Sequence, residues 1–229
     1  MATQLSFDLP SKTALGREDF FVSPANALAV AMISATSWPG NKLVLSGPAG
    51  SGKTHLAHVW AAETGGRIVQ AAALRYEDVP ELARTPIAVE DVPLIIEDPE
   101  LQRTMFHLHN LALAEGHALL MTGRAAPKVW NLPLADLQSR VEGAHYVELD
   151  APDDALLGAV LTKLFTDRQL NPSPDVIAYL VKHMDRSFET AARIVNELDR
   201  VALSEKRDIT RSLAVRLLNT GPEQSDARD

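Results

Sequence analysis

The chain has 229 residues, 46% hydrophobic and 23% charged, enough apolar material for one large domain or one medium and one small. The absence of cysteine excludes disulfides and cysteine-ligated metals, and a net charge of −8 argues against broad, nonspecific binding to a phosphate backbone. No apolar run approaches the roughly 18 residues of a membrane span, and MATQLSFDLP lacks the basic and apolar segments of a secretory signal, so a cytoplasmic protein is expected.

Ser23 followed by Pro24 reads as an N-cap and a first helical residue, opening a helix over residues 25–36 that ends before Pro39-Gly40. KLVLS, Lys42 to Ser46, is a short apolar run after Gly40-Asn41 and predicts a buried strand. GPAGSGKT follows, Gly47 to Thr54, and fits G-x-x-x-x-G-K-[ST] at every fixed position; THLAHVWAAET then continues as a helix. The residue types have a chemical reason. Gly47, Gly50 and Gly52 let the backbone curl so that successive N–H groups face one anion, and the helix dipole adds positive charge there. Lys53 can reach β- and γ-phosphates, and the Thr54 hydroxyl can take a place on Mg²⁺. The candidate nucleotide-binding set is therefore Gly47, Pro48, Ala49, Gly50, Ser51, Gly52, Lys53, Thr54 and His55, with ADP or ATP and Mg²⁺ as ligands.

Gly65-Gly66 turns the chain into RIVQAAA, a second strand, and PLIIED (Pro93 to Asp98) reads as a third. Leu101 to Glu115 is helical with Gly116 as its stop, HALLMT (His117 to Thr122) is a fourth strand, and YVEL (Tyr146 to Leu149) a fifth. Strands separated by helices predict a parallel sheet with both faces covered. LIIED ends in two acids: Glu97 is assigned to Mg²⁺ through water and Asp98 to the attacking water. Thr122, at a strand end, is a candidate contact to the γ-phosphate or that water. Arg140, in LQSRVEG, follows a short helix and precedes a glycine, so it is expected to be exposed on rigid structure. Sequence physics alone does not single it out.

Past Asp150-Ala151-Pro152 only helical signals remain: Asp153 to Arg168, Pro174 to His183 with Ser173 as its cap, Ser187 to Ser204, and Thr210 to Asn219. Ile194, Leu198, Val201 and Ala202 share one face of the third. The expected division is an N-terminal peptide at 1–12, an α/β domain at 13–150, a helical domain at 151–220 and a polar, disordered tail at 221–229. His107 and His109 point to different helix faces, His55 and His58 are expected to pack or meet solvent, and Trp38, Trp60 and Trp130 to be core or boundary residues. Asp199 and Arg200 are expected on the surface of the helical domain.

At this point the chain resembles the AAA+ family, in its DnaA-related branch. GPAGSGKTHLAH is similar to that family's P-loop, REDFFVSPANALAV to the segment that contacts adenine, and LIIED, LLMTGRAAP and LQSRVEG to Walker B, sensor I and the arginine-finger box, in the right order. The resemblance covers essentially residues 5 to 218 and implies an α/β fold: an AAA+ P-loop module with a parallel five-stranded sheet plus a small all-helical lid. Because the lid ends near the C-terminus, the helix-turn-helix domain of DnaA is expected to be missing. QLSFDL is similar to the sliding-clamp-binding peptide of the branch's regulatory members, with Gln4 at the mouth of a groove and Leu5, Phe7 and Leu9 in apolar pockets.

The resemblance implies a negative regulator of replication initiation at the bacterial replisome. Its partners would be the β subunit of the DNA polymerase III clamp, DnaA, and DNA only through the clamp, with a homodimer left open. In its ADP form it would stimulate hydrolysis of DnaA-bound ATP, Arg140 serving in trans. The alternatives are an autonomous AAA+ ATPase such as a helicase loader or remodelling motor, and a small-molecule P-loop kinase. Two departures weaken the case for intrinsic turnover: Glu97 stands where the branch has aspartate, and Glu189 stands at or near the sensor II arginine, with Arg193 one turn on, or Arg186, to substitute.

Overall fold

The computed structural model describes residues 21–205 and 207–219. The first helix, α1, spans Ala27–Ile33, shorter than expected. Ser23 caps only a turn: its Oγ accepts from Ala25 N–H (3.2 Å), while its carbonyl accepts from Asn26 and Ala27. The core is a five-stranded, all-parallel sheet in the order β2-β3-β4-β1-β5, built from β1 (Lys42–Ser46), β2 (Arg67–Gln70), β3 (Ile87–Glu90), β4 (Leu119–Gly123) and β5 (His145–Glu148). Between them run α2 (Lys53–Thr64), a short α3 (Val79–Leu82), α4 (Pro99–Ala114) and α5 (Ala135–Glu142).

Alternation along the central strands divides two cores. Leu43, Leu45, Ala88 and Leu120 face α1 and α2, where Leu56, Ala57 and Trp60 meet them. Val44, Val89, Leu119 and Met121 face the other way, against Met105, Leu108 and Leu137 of α4 and α5. Trp38 and Trp60 stack within the first core with centroids 5.4 Å apart, and Trp130 is buried with its Nε1–H donating to Ala125 O. All three tryptophans are core residues, as expected.

The third strand is not where the sequence reading put it. Residues Val92–Ile95 form a 3-10 turn, and the strand is the preceding IAVE. Pro93 has no N–H to give to a central ladder, and Asp91 takes a left-handed conformation (φ 53°) that ends the strand. The second strand is also shorter than RIVQAAA, since Ala71–Ala73 turns as a 3-10 segment.

Beyond residue 150 lie α6 (Asp154–Asp167), α7 (Pro174–His183), α8 (Phe188–Glu205) and α9 (Arg211–Asn219). Leu157, Leu161, Phe165, Leu180, Ile194, Leu198 and Leu213 close a separate core among them. Asp153 caps α6, accepting from Leu156 N–H at 2.8 Å. Ser173 stands at the N-cap of α7 but makes no side-chain capping bond; Pro174 at N1 sets that helix start. Residues 1–12, the QLSFDL segment with Gln4, Leu5, Phe7 and Leu9, and the tail 221–229 lie outside the described residues.

Candidate functional site

The glycine loop leaves β1 at its C-terminal end and feeds α2. Gly47, Gly50 and Gly52 all have positive φ (153°, 69° and 100°). A Cβ on Gly47 would meet Leu149 O at 2.5 Å, and one on Gly50 would meet Ser187 Oγ at 1.9 Å, so these positions need glycine for space as well as conformation. Lys53 Nζ donates to Gly47 O (2.7 Å) and Pro48 O (2.8 Å), which holds the ammonium against the loop. Burial depresses Lys53 below the ordinary lysine value; Asp91 opposes this, Arg124 adds to it, and Glu90 opposes it again. Ser51 Oγ is buried without a hydrogen-bond partner. Pro48, Ala49 and Thr54 are exposed, and His55 is partly buried in the first turn of α2.

The acids that reach this loop are Glu90 and Asp91, at the end of β3. Glu90 is 3% exposed; its Oε2 accepts from Gln70 Nε2 at 2.8 Å and its Oε1 is buried without a partner. Asp91 N–H donates to Thr122 Oγ1 at 3.0 Å, which ties the acid pair to the end of β4. Glu97 and Asp98, the acids expected here, are both exposed and do not end a strand. Asp98 is instead the N-cap of α4, accepting from Glu100 N–H (2.9 Å) and Leu101 N–H (3.0 Å), with Pro99 at the first helical position. The acid pair expected at a strand end as Glu97 and Asp98 thus stands there as Glu90 and Asp91.

The helical domain closes on the loop through the start of α8. Phe188 N–H donates to Gly50 O at 2.9 Å, and the Phe188 ring lies where a Cβ on Gly52 would touch it at 3.0 Å. Glu189 follows at once and is exposed; Arg193, one turn on, is exposed too. Arg186 is committed elsewhere, donating to Pro152 O at 3.1 Å and pairing with Asp154. Arg124, exposed just after β4, is a cation that the sequence reading passed over, as are the roles of Gln70, Glu90 and Asp91.

Arg140 lies inside the last turn of α5 rather than after it, and is exposed. Its carbonyl accepts from Lys42 Nζ at 2.9 Å, so its backbone sits at the N-terminal end of β1. The glycine loop leaves the other end of that five-residue strand, about 13 Å away at roughly 3.3 Å per residue.

The donor set suits a polyphosphate with a small hard cation. Gly47, Gly50 and Gly52 give the loop its positive-φ curl, Lys53 supplies charge, and Thr54 with Glu90 and Asp91 could supply the few oxygens that Mg²⁺ takes from protein when phosphates provide the rest. Among the described residues no group of three or more His, Asp or Glu is placed to hold a metal by itself. His107 is stacked on Tyr76 (5.2 Å) and His109 is buried, so neither is a ligand in such a group.

Residues 154–216 match the family model of the Hda lid domain. The matched segment runs from α6 into α9. Its fold is similar to domain III of the Thermotoga maritima replication initiation protein DnaA, with a TM-score of 0.79 at 17% identity over 90% of this chain and 96% of that one. AMPPCP-bound DnaA from Aquifex aeolicus matches with a TM-score of 0.65 at 19% identity, over 80% of this chain and 64% of that chain. The Holliday junction branch migration motor RuvB of Thermotoga maritima matches with a TM-score of 0.63 at 15% identity, over 78% of this chain and 61% of that one. At these identities the likeness is one of fold, and the lid match concerns residues 154–216.

Proposed function

We propose that this protein is a nucleotide-holding regulator of replication initiation that acts on DnaA. In this reading ADP and Mg²⁺ occupy the glycine loop, with Lys53 and Thr54 on the phosphates and metal and Glu90 holding Mg²⁺ through water. Gln4, Leu5, Phe7 and Leu9 engage the β clamp on DNA, and Arg140 is offered to ATP bound by DnaA. The observation that carries it is the placement of Arg140: exposed, on rigid structure, and at the far end of β1 from its own glycine loop. An arginine so placed serves a neighbour's phosphate better than its own. A trans arginine is worth about 10³ to 10⁵ in rate in GTPase systems. The Hda-type lid supports the choice of partner.

A second reading, an autonomous ATPase, draws support from Asp91, held by Thr122 beside Glu90 and within electrostatic reach of Lys53. Against it, Glu189 follows the residue bonded to Gly50, so a carboxylate stands near the sensor II position. The two readings separate in one assay: hydrolysis of radiolabelled ATP preloaded on DnaA, with this protein, ADP and clamp loaded on DNA. Stimulation that needs the clamp and is lost with Gln4→Ala supports the regulator. Brisk turnover by this protein alone, with DnaA's ATP surviving, supports the motor.

A further inference from the structure

The last turn of α5 leaves the Arg140 carbonyl over. Gly143 N–H donates to Ser139 O (3.1 Å) and Ala144 N–H to Val141 O (3.2 Å), so the chain tightens past Arg140. Its carbonyl is one of the orphans that every helix end must satisfy. Lys42, the first residue of β1, fills that need with its Nζ at 2.9 Å, across 98 positions of sequence. The helix that carries Arg140 is thus tied to an interior strand of the sheet, β1, at the arginine itself.

The tie is made by a residue with the same charge as the one it holds. Among the described residues neither Lys42 nor Arg140 belongs to an ion pair with a carboxylate. Lys42 is depressed from the ordinary lysine value by burial and then by the Arg140 charge. His109, also within electrostatic reach of both cations, is 1% exposed, and burial first of all pushes it down to about 4. It is neutral at pH 7 and adds no third charge. A neutral partner such as glutamine could make the same hydrogen bond; a lysine adds a like charge within electrostatic reach of the exposed arginine.

We propose that Lys42 is the positioning residue for Arg140, fixing its backbone through the carbonyl and directing its guanidinium outward, toward a polyphosphate held by a partner. This rests on the reading in which Arg140 works in trans.

The test uses the full chain with ADP, clamp on DNA and ATP-loaded DnaA, comparing Lys42→Met, Lys42→Arg and Arg140→Ala. Lys42→Met is expected to lower the maximal rate about ten- to hundredfold, the scale of a misplaced catalytic group, with half-saturation by DnaA unchanged. Lys42→Arg, which keeps both donor and charge, is expected to recover most of that rate. ADP affinity should match the wild type in both Lys42 variants, and melting temperature should fall by no more than about 4 °C in Lys42→Met, the scale of one lost hydrogen bond. A normal maximal rate for Lys42→Met while Arg140→Ala is inactive overturns the positioning role and leaves the trans reading standing. The positioning role falls in the same way if Lys42→Arg is no better than Lys42→Met. Normal rates for Arg140→Ala, or no stimulation by the wild type, overturn both.

Discussion

Exchanging the two acid pairs in experiment gives opposite signatures. Glu90→Gln keeps an oxygen for the Gln70 hydrogen bond and removes the buried charge, whose Oε1 has no partner in the protein. Thermal stability should hold, and Mg²⁺ should lose a charge-assisted contact. Such contacts contribute about 1.5–3 kcal/mol, so Mg²⁺-dependent tightening of ADP should weaken roughly 10- to 100-fold. Asp98→Ala does the reverse. It removes the cap that accepts two N–H groups at the start of a 16-residue helix, a loss of about 1 kcal/mol or roughly 2–4 °C in melting temperature. ADP binding should be untouched. Titration of a fluorescent ADP analogue with and without Mg²⁺, beside thermal melts, reads both effects. The reasoning is refuted if Asp98→Ala or Glu97→Gln abolishes the Mg²⁺ effect while Glu90→Gln retains it.

Gly50→Ala places a Cβ 1.9 Å from Ser187 Oγ on a backbone at φ +69°, and should weaken both folding and ADP binding, the left-handed backbone alone costing about 1–2 kcal/mol. Adding Ser187→Gly should return the steric part and leave the backbone part, which a double-mutant cycle of melts and ADP titrations would separate. Leu161→Ala, fully buried in the lid core, should lower unfolding free energy by about 2–5 kcal/mol in urea. Leu203→Ala, on a residue 71% exposed, should stay within about 0.5 kcal/mol. The Asp153 carboxyl is held below the usual carboxylate range, chiefly by Leu156 N–H and further by Ser23, Ala25 and Ala155, with burial opposing. A depressed folded value means that its stabilisation is present above the unfolded value of about 3.9 and is lost as pH falls through the folded one. The melting gap between wild type and Asp153→Ala should therefore be full at pH 7 and shrink below about pH 4.

Much of the fold was legible because local signals agreed. The glycine loop has fixed spacing between a strand and a helix, and the lid helices carry amphipathic faces with Asp153 and Pro174 marking two of their starts. The third strand failed because two apolar runs end in acids, IAVED at 87–91 and LIIED at 94–98, and hydrophobicity cannot separate them. Two signals in the sequence could have. Pro93 opens the second run without a ladder donor, and Asp98-Pro99 is the same cap-then-proline pattern read at Ser23-Pro24. The tie between Lys42 and Arg140 had no such signal, since it joins residues 98 apart through a side chain and a helix-end carbonyl.

The central claim is that Arg140 completes a site on another protein. The direct measurement is single-turnover hydrolysis of radiolabelled ATP held by DnaA, with ADP-bound wild type or Arg140→Ala and clamp on DNA. The account predicts rapid conversion to ADP with the wild type and the unstimulated rate with Arg140→Ala, both proteins binding ADP and clamp alike. Equal conversion by both would contradict it.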